Sequence, residues 1–200
     1  PLEIELRFTS WVFPKGHRIR LAVNNAQWPM IWPSPYPMTT RLELGGQTPT
    51  RVALPVVPYA DRPKPHFLPP AKDPEPEGYR TFSGTISGYS EVTTVERNVP
   101  RAATKVVADN SGGSEYPWGL IRYSDEIIYE AQDKHPEAAS VTSDMKRIVQ
   151  VGGRNLVWQG LLSFRSDLKH FYYEYTRKLF YGDRLIREKT WTEAIPRDYQ

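Results

Sequence analysis

Hydrophobic and polar positions alternate with a period of two along most of this chain, and that period belongs to strands, not helices. Leu2, Ile4, Leu6 and Phe8 alternate with Glu3, Glu5, Arg7 and Thr9. Pro14 and Gly16 then supply turn chemistry ahead of Ile19, Leu21 and Val23, which alternate with Arg18, Arg20 and Ala22 as in a strand with one face in a core. Thr40 to Leu44 and Arg51 to Leu54 bracket Gly45-Gly46, a hairpin with a longer loop. A longer series follows: Tyr79 to Ile86, Glu91 to Asn98, Thr104 to Ala108, Ile121 to Glu130, Lys146 to Val151, Leu156 to Phe164, Phe171 to Tyr181 and Leu185 to Thr192.

Glycine-bearing turns separate these later segments. Ser111-Gly112-Gly113, Gly152-Gly153-Arg154 and Gly182-Asp183 offer positive φ at low steric cost, so neighbouring strands reverse and pair antiparallel. In Phe171 to Thr176 both faces carry tyrosine or phenylalanine, and in Val157 to Phe164 both are largely apolar, which predicts a sheet covered on both sides. The one helix predicted is short, near Pro136 to Thr142. The fold class expected is therefore all-β: a partial jelly-roll-like β-sandwich segment followed by an antiparallel β-meander sheet.

Prolines divide the chain. Residues 55–76 hold eight of the 19 prolines and few core-forming side chains, the composition of an extended surface connector. The expected organisation is residues 1–58 as later strands of a β domain, 59–77 as connector and 78–200 as a sheet extension. A second proline cluster, Trp28-Pro-Met-Ile-Trp-Pro-Ser-Pro35, bars helix because a residue before proline is pushed towards extended conformations. Trp28, Trp32 and Tyr36 therefore project from a stiff loop that either seals the end of a β-sandwich or presents an apolar patch to another domain or ligand.

Composition removes several classes of function. With no cysteine, disulfides and thiolate metal sites are excluded. The net charge of +3 is small and its basic residues are interleaved with acids, where nucleic-acid binding needs a concentrated basic face. No apolar run approaches the roughly 20 residues that span a bilayer. His17, His66, His135 and His170 show no His-x-His or His-x-x-x-His spacing. Asp109 to Gly113 lacks the acidic spacing of a calcium loop. Neither a cofactor nor a metal is expected, and the partners expected exclude nucleic acid and membrane. Pro1 does not open a secretory signal, so a cytoplasmic location is favoured, and a start within a strand without methionine suggests a fragment or processed chain.

Three motifs in order, Gly16-His17-Arg18-Ile19-Arg20-Leu21, then Trp28-Pro29 with Trp32-Pro33-Ser34-Pro35, then Arg51-Val52-Ala53-Leu54-Pro55-Val56, carry a resemblance. They are similar to the end of the C-terminal β domain of the CocE/NonD hydrolases, the esterase and X-Pro dipeptidyl-peptidase (S15) group. Ser166-Asp167, His170-Phe171, Trp191 and Ile195-Pro196-Arg197-Asp198 resemble the closing segment of longer members. The resemblance implies that a Ser-His-Asp triad sits on an α/β-hydrolase domain elsewhere, since no Gly-x-Ser-x-Gly elbow occurs in this sequence. Gly84-Thr85-Ile86-Ser87-Gly88 places Ser87 one position off centre, with no amphipathic helix behind it.

The function expected is a non-catalytic β module of such a serine hydrolase. Its partner is expected to be an α/β-hydrolase catalytic domain or subunit, or a second copy of the chain. A free-standing ligand- or carbohydrate-binding module, or a purely structural oligomerisation module, is the alternative. Catalytic residues are expected to be absent. Trp28, Trp32, Tyr36 and His17 are the candidates for an interface or pocket wall, although a histidine opening a strand more often bonds a neighbouring carbonyl than acts in catalysis.

Overall fold

A computed structural model describes residues 3–198 except Thr9, Asn25, Pro37, Tyr59, Arg62, Lys64, Lys72, Asp73 and 84–92. Its architecture is all-β: one open antiparallel sheet of eight strands. The strands are β1 (Arg80–Ser83), β2 (Thr94–Asn98), β3 (Ala103–Tyr116), β4 (Gly119–Gln132), β5 (Ser140–Val151), β6 (Arg154–Ser166), β7 (His170–Tyr181) and β8 (Arg184–Pro196). From β3 to β8 each strand pairs with the next in sequence, so the meander expected from the glycine turns is present. β1 and β2 both pair with β3, at opposite ends of it.

Two local readings are corrected. Ser111-Gly112-Gly113 is not a turn but the middle of β3, where Gly112 faces Ser83 on one side and Tyr123 on the other. The reversal comes later, at Pro117-Trp118, and the close approach of Gly119 to the next strand explains the glycine there: a Cβ would lie 2.1 Å from the Gln150 carbonyl oxygen. The helix expected at Pro136 to Thr142 shrinks to a single 3-10 turn, Pro136–Ala138, because the alternation that resumes at Ser140 is recruited into β5.

The register sorts side chains onto two faces. Cross-strand partners share a face, so the row Val106, Tyr129, Val141, Phe164 and Tyr173 defines one side. That side also carries Trp158, Tyr175 and Trp191 and is the more aromatic. The other carries Lys105, Glu130, Arg165 and Tyr172. Among the described residues the expected cover on both faces is only partial: most sheet side chains are half-exposed, and Val106 is the one buried hydrophobic side chain within a strand.

Residues 3–58 also differ from the local expectation. Among the described residues they form no strand ladder, only the isolated Gln27–Ile31 bridge, and Ile19, Leu21 and Val23 are 58%, 50% and 44% exposed instead of facing a core. A strand gains its hydrogen bonds from a neighbour, and no neighbouring strand stands beside this segment among the described residues. The Gly45-Gly46 reversal does form, with both glycines at positive φ and the Thr50 amide donating to the Glu43 carbonyl at 2.9 Å. The described part of 55–76 has no regular secondary structure and is exposed. Leu2 and Ser87, with the ends of the strands expected at Ile86 and Glu91, lie outside the described residues.

Candidate interface built around the aromatic loop

The loop Gln27 to Tyr36 packs on the aromatic face of the sheet. Trp28 precedes a cis proline, Pro33 is buried, and Pro35 is fully buried. Trp32 sits edge-on to Phe164 (centroids 5.2 Å apart) and Phe171 (5.6 Å), which are themselves stacked at 5.5 Å. Trp28 is edge-on to Trp32 at 5.0 Å and to Tyr129 at 6.2 Å. T-shaped contacts place the positive edge of one ring on the negative face of the next, so the cluster is held by more than area alone.

Polar bonds fix this contact in register. The Trp32 indole N–H donates to Ser166 Oγ at 2.9 Å, and Ser166 donates in turn to the Glu137 carbonyl at 2.5 Å. Arg197 is 5% exposed and spans three segments: it donates to the Pro33 carbonyl at 2.8 Å, to the Asp167 carbonyl at 2.9 Å and to the Glu137 carbonyl at 3.5 Å. Its guanidinium lies 4.6 Å from the Phe171 centroid. Burial lowers the Arg197 pKa from its ordinary value, against the pull of Asp167, Tyr36 and Glu137.

The β6–β7 turn that carries Ser166 is stiffened by its neighbour. Asp167 accepts from the Lys169 amide (2.7 Å), the Tyr172 hydroxyl (2.7 Å) and the His170 amide (2.8 Å). Those bonds, the Lys169 amide first, hold its carboxyl at about 2. Although Ser166, Asp167 and His170 are close in sequence, they form no relay. The serine hydroxyl donates to backbone, and the aspartate accepts backbone amides, not an imidazole.

Of the four candidate residues, the structure brings Trp28 and Trp32 together, leaves Tyr36 exposed at the edge of the contact within electrostatic reach of Arg197, and sets His17 apart. Tyr36 is 55% exposed just beyond the buried Pro35, and His17 lies on an exposed turn where its amide donates to the Pro14 carbonyl at 3.1 Å. Phe164, Ser166, Phe171 and Arg197 complete the contact. In the sequence, Phe164 and Phe171 stood out as apolar residues of strands, and Ser166, Phe171 and Arg197 as parts of the closing-segment likeness, neither of which indicates what they touch. An open depression of about 320 Å³ across β6–β8, lined by Ser163, Arg165, Tyr172 and Thr192 among others, contains no histidine. Among the described residues no cluster of histidine and carboxylates is placed to hold a metal.

The loop therefore reads as a fastener between an N-terminal segment and a sheet. Residues 1–62 match the C-terminal non-catalytic domain of X-Pro dipeptidyl-peptidases. That X-Pro dipeptidyl-peptidase match covers under a third of the chain and includes the aromatic loop with its prolines. No curated protein and no solved structure matches the chain.

Proposed function

We propose that this chain serves as the non-catalytic C-terminal β module of a CocE/NonD-type (S15) serine hydrolase acting on esters or X-Pro amide bonds. The observation that carries this reading is the family match at residues 1–62, over a segment in which many apolar side chains outside the aromatic loop are exposed. Phe8, Trp11, Val12, Leu44 and Val56 are among those exposed. The jelly-roll strands expected there would complete themselves against an α/β-hydrolase domain or subunit and its adjoining strands. In such an assembly the nucleophilic serine, its histidine and its aspartate belong to that partner, which forms and hydrolyses the acyl-serine intermediate. This chain contributes the wall and the anchorage. The sheet of residues 80–196 holds the aromatic loop in place through Trp32, Ser166 and Arg197.

A glycan platform built on Trp28 and Trp32 is less well supported, since both rings are engaged by Tyr129, Phe164 and Phe171. The test is gel filtration and calorimetric titration of the chain with the α/β-hydrolase domain of an X-Pro dipeptidyl-peptidase relieved of its own C-terminal domain. A stoichiometric complex with raised turnover of Ala-Pro-p-nitroanilide is expected. No binding at tens of micromolar, or turnover by this chain alone, overturns the reading.

A further inference from the structure

β8 is the last strand of the sheet and, among the described residues, pairs only with β7, so along its 13 residues one side presents backbone N–H and C=O groups without a ladder. Sheet edges are usually blunted by shortness, by an internal proline or by charge. β8 is long, and its proline, Pro196, stands at its end. Its charges are of both signs, and two of them, Arg187 and Glu193, stand three residues either side of Thr190. A shift in the β7 pairing between Leu179 and Phe180 leaves Ile186 unpaired, so the regular part of this edge begins at Arg187.

We propose that β8 is a dimerisation edge on which a second copy of this chain pairs antiparallel, about a two-fold axis at Thr190, joining two sheets into one. In that register Arg187 faces Glu193 of the second copy, Glu188 faces Thr192, Lys189 faces Trp191 and Thr190 faces itself. Opposite charges and cation–aromatic neighbours across strands stabilise pairing, while like charges directly opposed oppose it. Neighbouring registers that keep the aromatic faces continuous are poorer. An axis at Lys189 sets that lysine against itself, and one at Thr192 leaves no opposite-charge pair; one at Trp191 pairs Lys189 with Glu193 but sets Arg187 against Ile195, Glu188 against Ala194 and Trp191 against itself, without the cation–aromatic pair.

The rows that would meet at the axis already run through each copy. Thr190 Oγ1 is 2.8 Å from Thr176 Oγ1, the Lys189 amine is 4.7 Å from the Trp191 centroid, and Trp191 stacks on Tyr175 at 5.8 Å. In the dimer the threonine row becomes four residues long, and each Trp191 lies between its own Lys189 and that of the second copy. A two-fold contact of one edge with itself closes at two subunits and does not propagate.

The experiment is sedimentation of the full 200-residue chain with two charge reversals at exposed positions, R187E and E193R, circular dichroism confirming the fold of each. The wild type is expected to be a dimer and each single variant a monomer, because like charges then meet at both ends. An equimolar mixture of R187E and E193R is expected to dimerise, since every facing pair is again of opposite sign. The chain has no native cysteine, so Thr190→Cys is expected to give a disulfide-linked dimer on a non-reducing gel, and Thr192→Cys, which faces Glu188, is not. A wild type monomeric at tens of micromolar, dimers that persist in both single variants, or a mixture that stays monomeric would each overturn the proposal. The outcome does not depend on whether residues 1–62 bind a hydrolase.

Discussion

Trp32 uses both of its chemistries on the sheet, its ring against Phe164 and Phe171 and its N–H on Ser166. Trp32→Ala is expected to cost about 3–5 kcal/mol of loop docking by loss of a large half-buried ring. Trp32→Phe, which keeps an aromatic ring and loses the indole bond, is expected to cost nearer 1 kcal/mol. Trp28→Phe loses less, since the Trp28 Nε1 has no partner among the described residues. Denaturant melts followed by indole fluorescence separate the three. Arg197→Met takes the donor from the Pro33 and Asp167 carbonyls, while the Glu137 carbonyl keeps Ser166, and is expected to cost about 2–3 kcal/mol. The proline spacing of the loop was legible as stiffness and the tryptophans as a contact. What they touch was not, because Ser166 lies 134 residues from Trp32 and Arg197 lies 164 from Pro33.

Among the elements, β4 to β8 were largely legible because runs rich in β-branched and aromatic residues and the Gly152-Gly153 and Gly182 turns agree with one another. Gly112-Gly113 misled because paired glycines are as compatible with extended backbone as with a turn, and only pairing with Ser83, Phe82, Tyr123 and Arg122 decides between them. Gly160 is a subtler case: a Cβ there would stand 2.6 Å from the Tyr175 hydroxyl, so Gly160→Ala is expected to cost on the order of 1 kcal/mol by displacing that ring. The β6–β7 turn has its own pH signature. Its Asp167 carboxyl titrates at about 2, below the roughly 3.9 of an unfolded aspartate. The depressed folded value means that this stabilisation is complete above about pH 4 and is lost as pH falls towards 2. Asp167→Asn, which keeps an acceptor oxygen, is expected to flatten the stability curve across that window in urea melts at pH 5, 4, 3 and 2. An unchanged slope would remove Asp167 from the account.

For the whole molecule, exposed area is the governing quantity. The folded chain presents 17324 Å² to solvent, against about 9,700 Å² for a compact monomer of its 23.1 kDa. An unfolded chain of that mass exposes about 33,500 Å², so unfolding here uncovers roughly 16,000 Å² where a compact protein uncovers roughly 24,000 Å². Because the denaturant slope m scales with the area uncovered, the isolated chain is expected to show an m-value about two thirds of that usual for its size. The E193R variant is the appropriate sample, since it removes the β8 contact and keeps self-association out of the measurement. A partner that covers residues 3–58 would raise m, and the increase measures how much of that apolar surface it hides. If the isolated variant already shows the m-value of a compact protein of 23.1 kDa, residues 3–58 are covered by the chain itself, and the need for a partner disappears with the exposed surface that argued for it.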